Sequence, residues 1–398
     1  MLGIYKTISV FKQSLAAYLF NIFGLLAGIM VAYNFWILTM VPWGMIIYPQ
    51  ILSARGVIGG ILSGRLGTAL HLGTIYPRLR KNTKSFYFLL KAMTVLTVEA
   101  SIAMSLLSIV FAEILSGAGI YDVFPILGVV LATMTLALAI VSPLTVSVSF
   151  LSFRYGLDPD VVLYPIESTV SDCLITLCYL TILKLYLFTG SFGFYLIIMI
   201  ATLLFVLSLY SFYSSSRDRE FRSILKETFM TMLFVALIVN ITGSIMGKIS
   251  ETIGNRPEIY TVYPALIDTV GDIGAVIGST ATTKLALGTL SKSFSAIKEH
   301  VSEVVGAWMA SIVMFIAYSF ISITLCGVFS FPIFIQLLRA LLMTNILAAM
   351  FIIVVSWITC ILTFKHGLDP DNFIIPIESS LADSITTTSL FTALIICA

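Results

Sequence analysis

Charge is what this sequence has least of. Only 11% of its 398 residues are Asp, Glu, Lys or Arg, against about a quarter in a soluble domain, and the deficit runs along the whole chain. The longest polar stretches, residues 76–85 and 214–228, are too short for a nucleotide-binding or regulatory domain. Neither holds the Gly-Lys-Ser/Thr loop that cradles phosphates, so no nucleotide site and no ATP-driven pump made from this chain alone is expected. With 22 basic against 20 acidic residues there is no charged tail to attract nucleic acid. The five cysteines (Cys173, Cys178, Cys326, Cys360, Cys397) are odd in number and lie in apolar runs, and the three histidines are scattered. That excludes a disulfide framework and a metal knuckle. The alternating short strands of a barrel are missing too, and no enzyme is expected.

What remains is apolar: 59% of the residues are hydrophobic, and the mean hydropathy is +1.05. Runs of ~20 apolar residues, each able to cross a hydrocarbon core of ~30 Å, fall near residues 14–37, 42–75, 86–112, 123–152, 161–188, 193–213, 228–249, 259–290, 304–327, 331–363 and 372–396. The chain reads as an all-α polytopic membrane protein of about eleven transmembrane helices, with the lipid bilayer as its surroundings. The second and eighth runs are long, glycine-rich and charged, which leaves open whether they are broken or re-entrant. Lys6 and Lys12 precede the first run with no small-residue cleavage site, so that run reads as a retained span. With the amino terminus cytoplasmic, Lys6, Lys12, Arg78, Arg80, Lys81, Lys84, Arg154 and Arg217 share one side with most other cations. The opposite side receives Glu113, Asp122, Glu251, Glu258 and Arg256. This positive-inside bias predicts a cytoplasmic amino end and an external carboxyl end, in a plasma membrane.

The chain also repeats itself. GLDPDVVLYPIESTVSD, from Gly156, returns as GLDPDNFIIPIESSLAD from Gly367, 211 residues on and without a gap. More loosely, PQILSARGVIGGILSGRLGTALHLG (Pro49 to Gly73) aligns with PALIDTVGDIGAVIGSTATTKLALG (Pro264 to Gly288). Two five-helix repeats, residues 1–190 and 223–398, are therefore expected, with a linker helix and loop in 191–222. The odd linker span brings the second repeat back to the same side. The repeats are then parallel and related by a pseudo-two-fold axis along the membrane normal, and their equivalent residues can line a central path.

The repeated residues suggest roles. Asp158-Pro159 and Asp369-Pro370 have the pattern of a helix start, with Asp160 and Asp371 in the first turn. The same four carboxylates also suit a cation-attracting cytoplasmic mouth. Pro165 and Pro376 fall inside a span, where each frees a backbone carbonyl. Glu167, Asp172, Glu378 and Asp383 follow at depths where an ionisable group costs roughly 2.5–3.5 kcal/mol, so function is their default explanation. Helical phase puts Pro165, Ser168, Asp172 and Thr176 on one face, and Pro376, Ser379, Asp383 and Thr387 on the corresponding one. Asp172 and Asp383 are expected to line the path. Glu167 and Glu378 point elsewhere in a straight helix, towards a cation such as Arg55, Arg65 or Lys284, unless the proline kink swings them inward. In the glycine-rich element, Asp268 and Asp272 share a face where the first repeat has Ser53 and Val57; metal binding and ion pairing both suit them. Carboxylates, hydroxyls and freed carbonyls make an oxygen set for a hard cation such as Mg²⁺, bound through its hydration shell.

GLDPD-x4-P-x6-D, present twice, resembles the last-span signature of MgtE-type magnesium transporters and of the related solute carrier family 41. Gly56 to Gly73 resembles a glycine-rich run of the latter, matching at Arg65, Leu66, Thr68, Ala69 and Gly73, with the family's Asn replaced by Val57 and Asp272. The resemblance implies two fused MgtE-type membrane domains that transport divalent cations, chiefly Mg²⁺, with the ion at Asp172 and Asp383. It implies that one chain is sufficient as a pseudo-dimer, although a homodimer is compatible. No stretch matches the cytosolic Mg²⁺-sensing domains of bacterial MgtE, so gating by that route is not expected. A second function stays open: a Na⁺- or H⁺-coupled carrier of another solute, with Arg55 or Arg65 receiving an anion and Glu99 relaying protons.

Overall fold

The computed structural model describes residues 2–116, 123–155, 159–286, 288–366 and 371–397, without the side chains of 2–3, 64, 68, 71, 112–116, 159–168, 227–228, 230–233, 286 and 371–379. Among these residues there are thirteen α-helices. The first four are α1 (Leu2–Tyr18), α2 (Gly24–Tyr33), the short α3 (Phe35–Leu38) and α4 (Gly44–His71). Next come α5 (Lys84–Ser116), α6 (Val123–Arg154), α7 (Pro159–Phe188), α8 (Gly190–Ser215) and α9 (Arg219–Ile253). The last four are α10 (Pro257–Ala286), α11 (Val301–Leu325), α12 (Phe331–Lys365) and α13 (Asp371–Cys397). Among the described residues ten stretches are long and apolar enough to cross a membrane; this is a polytopic helical membrane protein. The eighth span of the sequence reading, α10, is 30 residues long but carries Glu258, Asp268, Asp272 and Lys284, and it is not among the ten.

Helix ends and breaks follow from the sequence. α7 starts at Pro159, a residue that fits the first helical position because its missing N–H is not needed there. The matched glycines Gly73 and Gly288 close α4 and α10 in the same way, at φ +70° and +69°. Thr74 N–H reaches back to the Ala69 carbonyl (3.0 Å) and Thr289 N–H to that of Lys284 (2.9 Å), a left-handed cap that a side chain would strain. α4 and α10 run as single helices through Pro49 and Pro264, so neither glycine-rich span is broken. The first span is the interrupted one: a 3-10 turn at Leu19–Phe23 separates α1 from α2.

The chain packs as two compact units, residues 34–251 and residues 1–33 with 252–398. The first span thus packs with the helices of the second repeat, and most of α9 with those of the first. In the 34–251 unit α4 is the core helix, with 89% of its apolar window buried, whereas α8 has only 28% and turns Phe192, Tyr195 and Met199 outward, as a lipid-facing helix does. In the other unit α10 packs against α2, α11, α12 and α13, around buried Tyr260, Tyr263 and Tyr318.

Both units pack a short glycine pair against their glycine-rich helix. Gly24 and Gly28 lie on Ala265 and Thr261 of α10, and a Cβ at Gly28 would overlap the Thr261 carbonyl oxygen. Gly243 and Gly247 of α9 lie on Ile46 of α4, and a Cβ at Gly243 would overlap the Ile46 carbonyl oxygen. Small residues let helix backbones approach this closely. The local sequences are NIFGLLAG from Asn21 and NITGSIMG from Asn240. This is a third repeated element, and its offset differs from those of the other two.

Candidate intramembrane acid site

In the 34–251 unit, α4 lies against α7. The Arg55 guanidinium of α4 forms an ion pair with the Asp172 carboxylate of α7, and both side chains are buried. One turn along α7, Thr176 Oγ1 is 3.2 Å from the Tyr48 hydroxyl, and Tyr48 stacks on Tyr179, whose hydroxyl donates to the Gly44 carbonyl at 2.7 Å. Gln50 of α4 donates to Asn240 Oδ1 at 3.1 Å and accepts from Ser108.

The 1–33/252–398 unit repeats the arrangement with α10 and α13. Thr387 Oγ1 donates to the Asp383 carbonyl (2.6 Å), so the Tyr263 hydroxyl, 2.9 Å away, donates to Thr387. Tyr48–Thr176 and Tyr263–Thr387 occupy matching positions and put α10–α13 in the register of α4–α7. In that register Val270 stands where Arg55 does, and Asp383, itself buried, where Asp172 does. Gly271, the counterpart of Gly56, faces Ala382, and its added Cβ would be 3.7 Å from the Ala382 Cβ.

Asp272 meets Asn21 of the 3-10 turn. Its Oδ2 accepts from Asn21 Nδ2 at 2.7 Å, and the same amide donates to Thr269 Oγ1 at 3.2 Å, which is 2.8 Å from the Tyr318 hydroxyl. Asp268 lies part-buried on the same helix. Nearby, Glu303 accepts from Lys6 and Lys284, both at 2.7 Å; His300 Nδ1 is 2.9 Å from Lys284 Nζ, and its Nε2 is 3.0 Å from Thr280 Oγ1.

Of the cations that the sequence offers to Glu167 and Glu378, Arg55 meets Asp172 and Lys284 meets Glu303, while Arg65 is part-buried on α4. The side chains of Glu167, Ser168, Glu378, Ser379, Asp160, Asp371, Pro165 and Pro376 lie outside the described residues, as do Asp158 and Asp369 entirely. Among the described residues no three His, Cys, Asp or Glu side chains stand together to hold a metal. Sequence reasoning missed the partners Tyr48, Tyr263, Asn21 and Asn240; the repeated Asn-Ile-x-Gly would have marked the last two.

The profile of MgtE, described as a divalent cation transporter, matches residues 48–182 and 263–393. The chain belongs to the MgtE family. The two matched segments fall one on each sequence repeat, as expected of two fused MgtE-type domains, and divalent cation transport is therefore the activity of this membrane protein. A search among curated proteins returns no match. Among solved structures, the crystal structure of the eukaryotic MATE transporter AtDTX14 aligns over 100% of both chains, at 13% identity and a TM-score of 0.32, too low to support any argument.

Proposed function

We propose that the transported ion is Mg²⁺ and that the carboxylates of the duplicated motif, Asp172 and Asp383, act on it, with Asp268 and Asp272 as accessory acids and Glu167 and Glu378 close by in sequence. The observation that carries this reading is the recurrence of one buried acid on two matching helices, each a turn from a hydroxyl held by tyrosine. A solitary structural acid gives no reason for that duplication. The chemistry is that of hard oxygen donors, which suit Mg²⁺. Among the described residues His300 belongs to the Glu303 cluster, and Cys360 lies against Thr282 and the Gly278 carbonyl. Softer metals recruit such donors. Mg²⁺ sheds water reluctantly and keeps several waters, so carboxylates can attract the ion through its hydration shell. The four acids at the starts of α7 and α13, Asp158, Asp160, Asp369 and Asp371, would raise cation concentration at the cytoplasmic mouth. One chain supplies both motif copies, with its amino end on the cytoplasmic face of the plasma membrane.

The test is uptake into liposomes that hold the purified protein and a Mg²⁺ dye, under an imposed voltage. Voltage-driven uptake of Mg²⁺ in preference to Ca²⁺, Na⁺ and K⁺ is expected. A folded protein that moves Mg²⁺ no faster than empty liposomes do would refute the reading. Against the anion-carrier alternative stands the ion pair of Arg55 with Asp172.

A further inference from the structure

We propose that the loops following α4 and α10 are docking surfaces for anionic phospholipid headgroups, each at the membrane face where its helix ends.

In residues 72–84, four cations (Arg78, Arg80, Lys81 and Lys84) stand within seven residues, and the first acid of the whole sequence is Glu99. All four are exposed. The loop has a built shape. The Asn82 side chain accepts from the Tyr76 and Thr83 N–H groups (3.0 and 2.8 Å) and donates to the Tyr76 and Arg78 carbonyls (2.8 and 2.7 Å), and buried Ile75 anchors it. Held this way, it presents apolar side chains among the cations. Leu72 is 71% exposed and Leu79 56%, and the Arg78 guanidinium lies 4.8 Å from the centre of the Tyr76 ring. Exposed leucines in a run of cations suit the boundary between headgroups and acyl chains, where apolar side chains enter the bilayer and Lys or Arg meets lipid phosphate. The neighbouring helix start has the same sign: Ser85 donates to Glu220 at 3.0 Å, which brings exposed Arg217, Arg219 and Arg222 close, with Asp218 and Glu220 as the acids among them.

The second repeat carries the same combination at its own helix end. Leu290 is buried like its counterpart Ile75, and exposed Lys292, Phe294 and Lys298 follow it, beside Glu299. Lys292 Nζ is 4.9 Å from the centre of the Phe364 ring, and Lys365 Nζ 4.5 Å from that of Phe294. The Trp357 indole donates to the Phe294 carbonyl at 3.0 Å and so fixes that turn. The residues after Ile75 and Leu290 do not match one another at this spacing, so what recurs is the chemistry, a cation held on an aromatic ring at a loop surface. With the amino end cytoplasmic, as proposed above, the charge pattern puts each loop at the cytoplasmic leaflet. That leaflet carries the anionic lipids, and each Lys or Arg near it strengthens binding roughly fivefold.

The experiment is a mass-spectrometric titration of the intact chain in detergent, with phosphatidylglycerol and with phosphatidylcholine. Phosphatidylglycerol is expected to bind about tenfold more tightly or better, at two sites per chain. Arg78→Gln with Arg80→Gln and Lys81→Gln is expected to remove one site and leave the other; Lys292→Gln with Lys365→Gln should do the reverse. These side chains are exposed, and a melting transition checks that each variant is folded. Asn82→Ala keeps every charge but releases the loop, and is expected to weaken the first site severalfold. Equal affinity for the two lipids, or phosphatidylglycerol binding unchanged in both charge variants, would overturn the proposal. Displacement of the lipid by inorganic phosphate at equal concentration would also overturn it, because the sites would then serve free anions. An Asn82→Ala protein that binds as the unaltered chain does would reduce the first surface to its net charge and contradict the role given to its shape.

Discussion

Glu303 shows what a buried charge needs in this protein. Its carboxylate is enclosed, 3% exposed, between Lys6 and Lys284, with His300 Nδ1 at 3.7 Å, so it ties α1 to α10 and α11. Removing one partner of a buried pair leaves the others uncompensated. Glu303→Gln is expected to cost on the order of 3 kcal/mol and to lower Tm by several degrees in a detergent melt. Lys6→Gln, on a side chain that is half exposed, should change stability by less than about 1 kcal/mol. Equal effects of the two would contradict this account of the cluster. The same rule governs Asp172, whose neutralisation was only half legible in the sequence. An intramembrane Arg55 had to find an acid, but helical phase set Asp172 on the path and offered Arg55 to Glu167 or Glu378, whereas the guanidinium meets Asp172. Thr176 stands one turn beyond Asp172, and Thr387 one turn beyond Asp383, each against a tyrosine hydroxyl. Their tyrosine partners lie 128 and 124 residues away, at separations no local pattern reports.

At the scale of elements, close helix approach at glycine sets the packing. Gly24 and Gly28 are one turn apart on α2, but only Gly28 lies where a Cβ would overlap backbone, the Thr261 carbonyl; at Gly24 the nearest atom is Ala265 N at 3.4 Å, an ordinary contact. Gly24→Ala is therefore expected to be tolerated, and Gly28→Ala to force α2 off α10 and lower the melting temperature markedly. Gly243→Ala should behave like Gly28→Ala, because it meets the Ile46 carbonyl. A thermal melt of the three variants checks this, and a tolerated Gly28→Ala would contradict the packing described. The helices themselves were legible, because apolar runs of this length have few alternatives in a membrane. The interruption at Leu19–Phe23 was not, since nothing in its composition differs from the flanking helix. Its Asn21 is engaged with Thr269 and Asp272 of α10, a contact made 248 and 251 residues away. The repeat that includes Asn21 and Asn240 stands in the sequence as NIFGLLAG and NITGSIMG.

For the whole molecule, composition settled the class: so little charge and so much apolar length allow only a polytopic membrane protein. The duplicated acid motif pointed to the family that the MgtE profile then matched on both halves. Which helices cluster was not readable. Sequence order assigns the first span to the first repeat, while packing groups residues 1–33 with 252–398, and glycine-mediated contacts of this kind follow shape rather than sequence. The central claim, that the duplicated intramembrane carboxylates carry divalent transport, is most directly tested by Asp172→Asn with Asp383→Asn. These substitutions nearly preserve side-chain shape and remove both charges. Mg²⁺ uptake by this variant, reconstituted at the same density as the unaltered protein and shown to be folded by its melting transition, is expected to fall to that of empty liposomes. Uptake that persists at the unaltered rate would show that the ion crosses without these acids and would contradict the account.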